Sequence, residues 1–132
     1  ERKIFELKGI RILPQVCYDL RFPVWSRNRQ DYDLLVNVAN WPAARRHVWD
    51  TLLKARAMEN QAYVVGVNRI GTDGKGVDHS GGTVLLDYVG EPLVAAEDNK
   101  AQVICAELDF SKLAEFKTEF PAYLDADDFE IG

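Results

Sequence analysis

Two short apolar runs separated by a long helical pattern constrain this chain more than any other feature. The runs are Leu34–Ala39 and residues 63–67, and each has the length and composition of a strand buried on both faces. Between them, Arg46–Asn60 contains no Gly or Pro and carries apolar residues at helical spacing. The order strand, helix, strand is typical of a parallel sheet with a helix packed on it. The sequence therefore predicts an α/β fold.

Further strands are predicted on both sides of this central unit. Residues 4–7 and 10–17 are apolar stretches separated by Lys8-Gly9, a turn that predicts a hairpin. Later in the chain, strands are predicted at residues 82–87, 93–96 and 101–108. The predicted order of elements is ββαβαβββ.

The connecting segments carry their own signals. Pro23 suits the first turn of a helix that is expected to run through Arg27. Glycines at 71–82 predict a long, polar and mobile loop. A short helix capped by Ser111 is predicted at 111–116. The acidic residues 121–132 are predicted to form an arm that lies on the surface or on a partner.

Composition and charge exclude several classes of function. The chain has 132 residues, of which 47% are hydrophobic and 28% charged, as expected for one globular domain. A net charge of -5 without a basic face argues against nucleic acid as a partner. No apolar run approaches the roughly 20 residues that a membrane span needs. Two cysteines are too few for a disulfide framework, so a reducing, cytoplasmic location is expected.

Cys17 is the sharpest candidate for chemistry. It lies where a predicted strand meets a predicted helix, and a helix amino terminus favours a thiolate. The alternative is a small buried hydrophobic residue, which is the interpretation adopted for Cys105 in the predicted strand at 101–108. Carboxyl ends of parallel strands meet at one edge of a sheet, where Cys17, Asn40-Trp41 and Asn68 are all predicted to fall.

Other polar residues are assigned to structure or to substrate contact. His47 and His79 are interpreted as surface or internally satisfied residues rather than partners of Cys17. Arg56 and Glu59, three apart on the long helix, are predicted to be structural and to pair with one another or with backbone carbonyls. Trp41 and Pro42 suit either the wall of a substrate pocket or a loop packed on the core.

Cofactor motifs are missing from the sequence. It contains no HExxH or paired CxxC pattern and no glycine-rich phosphate loop. We therefore predict neither a metal nor a nucleotide cofactor.

Several strings taken together resemble one family. PQVCYDLRFP at 14–23 resembles the nucleophile segment of the nitrilase superfamily, the carbon-nitrogen hydrolases. The resemblance continues in order through DLLVNVANWP at 33–42, ARAMEN at 55–60, YVVGVN at 63–68, SGGT at 80–83 and GEPL at 90–93. Within the family, the chain looks most similar to the omega-amidase branch, which acts on amides of small dicarboxylic acids.

The resemblance implies a fold, a mechanism and a set of site residues. The fold is half of an αββα four-layer sandwich, and the mechanism uses a Glu-Lys-Cys triad without metal or organic cofactor. Cys17 corresponds to the nucleophile, and the backbone N–H of Tyr18 helps to hold the oxyanion. The residues expected to contact a small amide substrate are Arg21, Asn40, Trp41 and Pro42.

The chain departs from the family pattern upstream of Cys17. The triad Glu and Lys lie on earlier segments of the family, and only sixteen residues precede Cys17 here. Glu1, Lys3, Glu6 and Lys8 do not match those positions, so none receives a role. We expect residues 1–132 to be the C-terminal portion of one carbon-nitrogen hydrolase domain, inactive alone.

Three functions remain open from the sequence. The first is a cysteine amidohydrolase that is completed by the missing N-terminal half or within a homo-oligomer. The second is a non-catalytic interaction fragment that associates through an exposed sheet face. The third is a redox-sensing thiol at Cys17.

Overall fold

The computed structural model describes residues 2–130, which build one six-stranded mixed sheet, one small hairpin and three helices. The strands in chain order are Phe5–Leu7 (β1), Ile10–Val16 (β2), Leu34–Ala39 (β3), Tyr63–Asn68 (β4), Ile70–Thr72 (β5), Asp78–Ser80 (β6), Val84–Leu86 (β7) and Pro92–Ala95 (β8). The helices are Pro23–Ser26 (α1), Arg46–Asn60 (α2) and Phe110–Glu119 (α3). This mixed architecture confirms the α/β prediction.

Strands β2, β3 and β4 are adjacent and parallel at the centre of the large sheet, whose order is β1-β2-β3-β4-β7-β8. The predicted hairpin of β1 with β2 is present and antiparallel. Cys17, Asn40 and Asn68 follow or end the three parallel strands, so they lie at the same edge of the sheet, as predicted.

One face of this sheet is covered by α2. A buried row of side chains, Leu13, Leu35 and Val64, runs across the three parallel strands on this face. The next row toward Cys17 consists of Gln15, Asn37 and Gly66. At Gly66 the helix approaches so closely that a Cβ atom would stand 2.9 Å from the Trp49 ring, and nearer still to Leu53.

The opposite face of the sheet is apolar, and it is open at the end of the strands nearest Cys17. Val16, Val38 and Val67 form a row across the parallel strands, and they are 62%, 46% and 41% exposed. Phe5 and Leu7 extend this surface over β1, 58% and 62% exposed. Helix α3 meets this face only at the far end of the strands, where Phe110 packs on Tyr63 with 5.3 Å between ring centroids. The valine row is left exposed by the described residues, which is consistent with half of a four-layer sandwich.

Two helix predictions need correction. A 3₁₀ helix, Cys17–Arg21, begins at Cys17 itself, and α1 ends at Ser26, before Arg27. Helix α3 begins at Phe110, and its cap is Asp109 rather than Ser111. The Asp109 carboxylate accepts hydrogen bonds from the backbone N–H groups of Ser111 and Lys112. Ser111 therefore lies within the first turn of the helix, and Asp109 caps it.

Two strand and loop predictions were also wrong in part. Residues 101–108 form no strand and have no regular secondary structure, and Cys105 is exposed rather than in the core. The glycine-rich loop contains the hairpin of β5 and β6, in which His79 is buried with its Nδ1 3.3 Å from the Gly71 carbonyl oxygen.

The ends of the described chain lie near the loop before β3. Arg2 forms an ion pair with Asp31, and Arg29 donates to the Phe129 carbonyl at 3.0 Å. Residues 131 and 132 of the predicted arm are outside the described residues. Among residues 2–130, no helix is both long and apolar enough to cross a membrane.

Candidate active site

Cys17 occupies a tight turn at the end of β2. Its φ of 46° lies in the left-handed region, which a residue with a side chain adopts only where its surroundings hold it there. The side chain is half-buried against the core. The strand-to-helix junction predicted for Cys17 is therefore a sharp turn from β2 into the 3₁₀ helix.

Hydrogen bonds fasten both sides of this turn. The backbone N–H of Val16 donates to the Asp19 carboxylate at 2.9 Å, and the N–H of Phe22 donates to the Asp19 carbonyl at 3.0 Å. On the helix side, Arg56 donates to the Leu20 carbonyl at 2.6 Å. Cys17 is thus held between a strand and a helix that are both anchored to the core.

Arg56 has both kinds of predicted partner, the Glu59 carboxylate and a backbone carbonyl. The Arg56 guanidinium lies 2.7 Å from a Glu59 carboxylate oxygen, and the Arg56 side chain is 4% exposed against 39% for Glu59. A buried guanidinium needs such partners because an unpaired buried charge is costly. Arg56 therefore connects α2 to the Cys17 turn while Glu59 neutralises it from the surface side.

Asn68 fixes the loops at the same sheet edge. Its amide accepts from the Trp41 N–H at 2.7 Å and donates to the carbonyl oxygens of Trp41 at 3.0 Å and Gly81 at 2.8 Å. One buried side chain thereby joins the loops that follow β3 and β6. The sequence places Asn68 at this edge, but its role as a clamp was not predicted.

Of the predicted substrate contacts, Trp41 and Arg21 lie together. Trp41 is 3% exposed, contacts Trp49 at 5.5 Å between ring centroids and donates from Nε1 to the Arg45 carbonyl at 2.8 Å. The exposed Arg21 lies over the outer side of the Trp41 ring, 5.1 Å from its centroid. Trp41 is therefore part of the core and also the platform on which Arg21 rests.

The remaining predicted contacts are more exposed. Asn40 is exposed after β3, and Pro42 is half-buried before a short 3₁₀ helix, Ala43–Arg45. Tyr18 is 65% exposed and makes an edge-to-face contact with Phe22. These residues lie around the strand ends, but within residues 2–130 they do not enclose a pocket.

An open cleft of about 590 Å³ lies beside β2 and α1 and borders the Cys17 turn. Its walls include Phe5, Gln15, Asp19 and Trp25, whereas neither Cys17 nor Trp41 lines it. Volume alone therefore does not identify the reactive site. Within residues 2–130, no three His, Cys, Asp or Glu side chains are grouped as ligands for a metal ion.

The comparisons with known proteins identify the family. The carbon-nitrogen hydrolase family model matches residues 1–118. The chain belongs to the carbon-nitrogen hydrolase family, that is, the nitrilase superfamily, as its motifs predicted.

Individual relatives are amidases. The omega-amidase YafV of Yersinia enterocolitica is 57% identical over 129 residues, which cover 98% of this chain and 50% of that protein. The 2-oxoglutaramate amidase of Bacillus subtilis is 34% identical over 124 residues, 92% of this chain and 47% of that protein. This chain thus spans about half the length of these relatives.

A solved structure agrees with the fold. XC1258 from Xanthomonas campestris, a CN-hydrolase superfamily protein with an arsenic adduct in its active site, is 45% identical to this chain. The two superpose with a TM-score of 0.96 over 100% of this chain and 52% of that one.

Proposed function

We propose that this chain carries the nucleophile of an enzyme that hydrolyses small amides, with Cys17 as that nucleophile. The observation that carries the proposal is the Cys17 turn, a half-buried thiol held at positive φ at the common edge of three parallel strands. The amidase relatives support the same reaction class.

The proposed reaction proceeds through a thioester. A glutamate accepts the Cys17 thiol proton, and the sulfur attacks the amide carbonyl carbon to give a tetrahedral oxyanion. The Tyr18 backbone N–H and a lysine stabilise this oxyanion. The C–N bond then breaks as the nitrogen takes up the proton, and ammonia leaves. Water attacks the thioester, which releases the carboxylic acid and regenerates the thiol.

The proposed substrate class is the terminal amide of a small dicarboxylic acid. The names of the relatives, omega-amidase and 2-oxoglutaramate amidase, support this finer assignment. Arg21 is exposed near the Cys17 turn and is suited to pair with the free carboxylate of such a substrate. Trp41 positions Arg21 from below, while Asn40 and Pro42 border the same edge.

The glutamate and lysine of this mechanism are proposed to come from a segment outside this chain. Residues 1–132 are then the C-terminal portion of one carbon-nitrogen hydrolase domain. The open apolar face supports this arrangement, because its valine row needs a second sheet to cover it. The cover is the N-terminal half or a second copy in a homo-oligomer. We propose a cytoplasmic location for the assembled enzyme, where its thiol stays reduced.

Ammonia release from glutaramate-type amides by the full-length gene product tests this function. We expect turnover that Cys17→Ala lowers by at least about 1,000-fold without a change in melting temperature. Cys105→Ala is the matched control, and it should keep full activity because Cys105 is exposed on an irregular segment. Turnover that survives in Cys17→Ala contradicts the proposal.

A non-catalytic interaction fragment is the second candidate, and the open apolar face is the observation that favours it. It predicts tight association of the chain with a partner but no ammonia release from any assembly. A redox role for Cys17 predicts a peroxide-dependent sulfenic acid in place of amide turnover.

A further inference from the structure

Four buried polar atoms near the Cys17 turn lack a hydrogen-bond partner among residues 2–130. They are Oε1 of Gln15, both amide atoms of Asn37 and Nε of Arg56. The three residues are 6%, 0% and 3% exposed, respectively. Buried amides and guanidinium groups are seldom left unpaired, since each loses its hydrogen bonds to water on burial.

The strand register places two of these side chains together on the face that α2 covers, and the third lies on α2 itself. Gln15 and Asn37 are register partners on adjacent parallel strands, which lie about 4.8 Å apart, and both belong to the covered face. The other register partner of Asn37 is Gly66, the glycine that Leu53 of α2 contacts. Arg56 lies three residues beyond Leu53, on the same side of the helix.

The unpaired atoms are complementary in number to one water molecule. Asn37 Nδ2 and Arg56 Nε are donors, whereas Gln15 Oε1 and Asn37 Oδ1 are acceptors. A water molecule accepts two hydrogen bonds and donates two, and buried waters in proteins typically make about three. If the water binds three of the four groups, the remaining one can be paired by a direct hydrogen bond between the Gln15 and Asn37 amides.

We propose that an ordered water is enclosed between the sheet and α2, bound by Gln15, Asn37 and Arg56, and that Asn37 acts through it as a positioning residue for Cys17. The second part rests on the proposed function of Cys17 as the nucleophile. Asn37 touches neither the thiol nor the substrate in this account.

The positioning role follows from what the neighbouring residues hold. Gln15 donates to Ser26 of α1 at 2.8 Å, and Arg56 donates to the Leu20 carbonyl at 2.6 Å. Gln15 therefore holds the strand side of the turn and Arg56 holds its helix side. The enclosed water and Asn37 connect these two residues. A strained φ such as that of Cys17 persists only where several contacts determine it together.

A high-resolution crystal structure of the full-length gene product tests the water directly. We expect density within hydrogen-bond distance of Asn37 and of at least one of Gln15 Oε1 and Arg56 Nε. A direct Asn37–Gln15 bond with no enclosed density overturns the proposal. This arm does not depend on amide turnover.

Cys17 reactivity in the same protein tests the positioning role. The rate of iodoacetamide labelling of the Cys17 peptide is followed by mass spectrometry across pH, beside the melting temperature. Asn37→Leu should slow labelling at neutral pH by about fivefold or more, because small displacements of a reacting group have large effects on rate. Asn37→Ser, which keeps a hydroxyl for the water, should recover part of the loss.

Val64→Ala is the matched control for lost stability, since Val64 lies one row away on the same covered face. It should lower the melting temperature and leave the pH profile of labelling unchanged. If Asn37→Leu does not fold, the comparison of Asn37→Ser with Val64→Ala decides the question, with slower labelling expected in Asn37→Ser only. Equal profiles for the Asn37 and Val64 variants refute the positioning role. Absence of ammonia release with the expected labelling results would refute only the proposed function.

Discussion

The two faces of the central sheet differ in what they present and in what covers them. The covered face carries the polar side chains of Gln15 and Asn37, in one row with Gly66, between the apolar core and the Cys17 turn. The open end of the other face carries apolar side chains on the same strands, the valines at 16, 38 and 67. Successive side chains of a strand point to opposite faces, so alternate residues of the same three strands supply the two surfaces.

This difference separates two tasks. The covered face uses buried hydrogen bonds to hold the strand ends and the Cys17 turn in place, since polar groups under a helix must find partners. The open face gains stability only when a second surface removes it from water. We therefore expect changes on the covered face to act on the site and its stability, and changes on the open face to act on assembly.

The largest expected effect is loss of activity when the 132-residue chain is produced alone, so that nothing covers its open face. Without a general base and a lysine, amide hydrolysis should fall by at least about 10,000-fold relative to the full-length gene product. The chain should also self-associate or bind the separately produced N-terminal half, with activity returning in the second case. A clean monomer in light scattering would contradict the expected association. Cys17-dependent ammonia release by the chain alone would contradict the expected loss of activity.

A charge on the open face should have opposite consequences in two contexts. Val38→Lys in the full-length gene product should lower the free energy of unfolding by about 3 kcal/mol, because it buries an unpaired charge. In the 132-residue chain the same substitution should reduce self-association. Chemical denaturation and light scattering measure the two effects, and an unchanged stability of the full-length variant indicates that this face is not covered.

Gly66→Ala probes the close contact on the covered face. The added methyl group would meet Leu53 and Trp49, so we expect a loss of about 1 to 3 kcal/mol in the free energy of unfolding. Gly74→Ala is the matched control because no atom lies within 4 Å of its Cβ position. Equal stability of the two variants in denaturant contradicts the tight packing of α2 on the sheet.

Glu59→Gln sharpens the account of α2 as a support for the Cys17 turn. Removing the carboxylate charge beside Arg56 should cost about 1 kcal/mol, since Glu59 is partly exposed and Gln keeps one acceptor. The melting temperature should fall while the rate constant changes little. A variant that keeps its melting temperature but loses its rate constant would place Glu59 in the chemistry instead.

The smallest expected effect lies away from both faces, at the start of β3. Burial raises the pKa of Asp33, but hydrogen bonds from the Arg11 side chain and backbone outweigh it, so the pKa lies below its ordinary value. Stability from this pair is complete above the unfolded pKa of about 3.9 and is lost as pH falls through the lower folded pKa. Acid titration of unfolding should therefore show a shallower loss below about pH 4 in Asp33→Asn. An identical acid profile in the variant rules out this contribution.

The sequence predicted the central unit correctly because its signals are local. Leu34–Ala39 and Arg46–Asn60 have strong periodicity, and the observed bounds of both elements match it. Cys105 was misplaced because residues 101–108 have the composition of a strand, while strand formation also requires a neighbouring strand. The cap of α3 was misplaced because Asp109 and Ser111 are both good caps, and only the observed hydrogen bonds distinguish them.

The sequence predicted the position of the Cys17 turn but not the residues that support it. The motif around Cys17 located the turn, whereas the positive φ depends on contacts from α2 that no local pattern encodes. A signal for the supports was present in Gln15 and Asn37, since polar residues at matching positions of two apolar strands are unusual. Recognising it requires the register between β2 and β3, which the sequence alone does not define.

The covalent intermediate offers the most direct test of the central claim that Cys17 is the nucleophile of an amide hydrolase. The full-length gene product is mixed with a glutaramate-type amide, quenched in acid during turnover and digested for mass spectrometry. The account predicts an acyl group on the peptide that contains Cys17 and none on the peptide that contains Cys105. An acyl group on Cys105, or turnover with no acyl-cysteine and undiminished rate in Cys17→Ala, would contradict it.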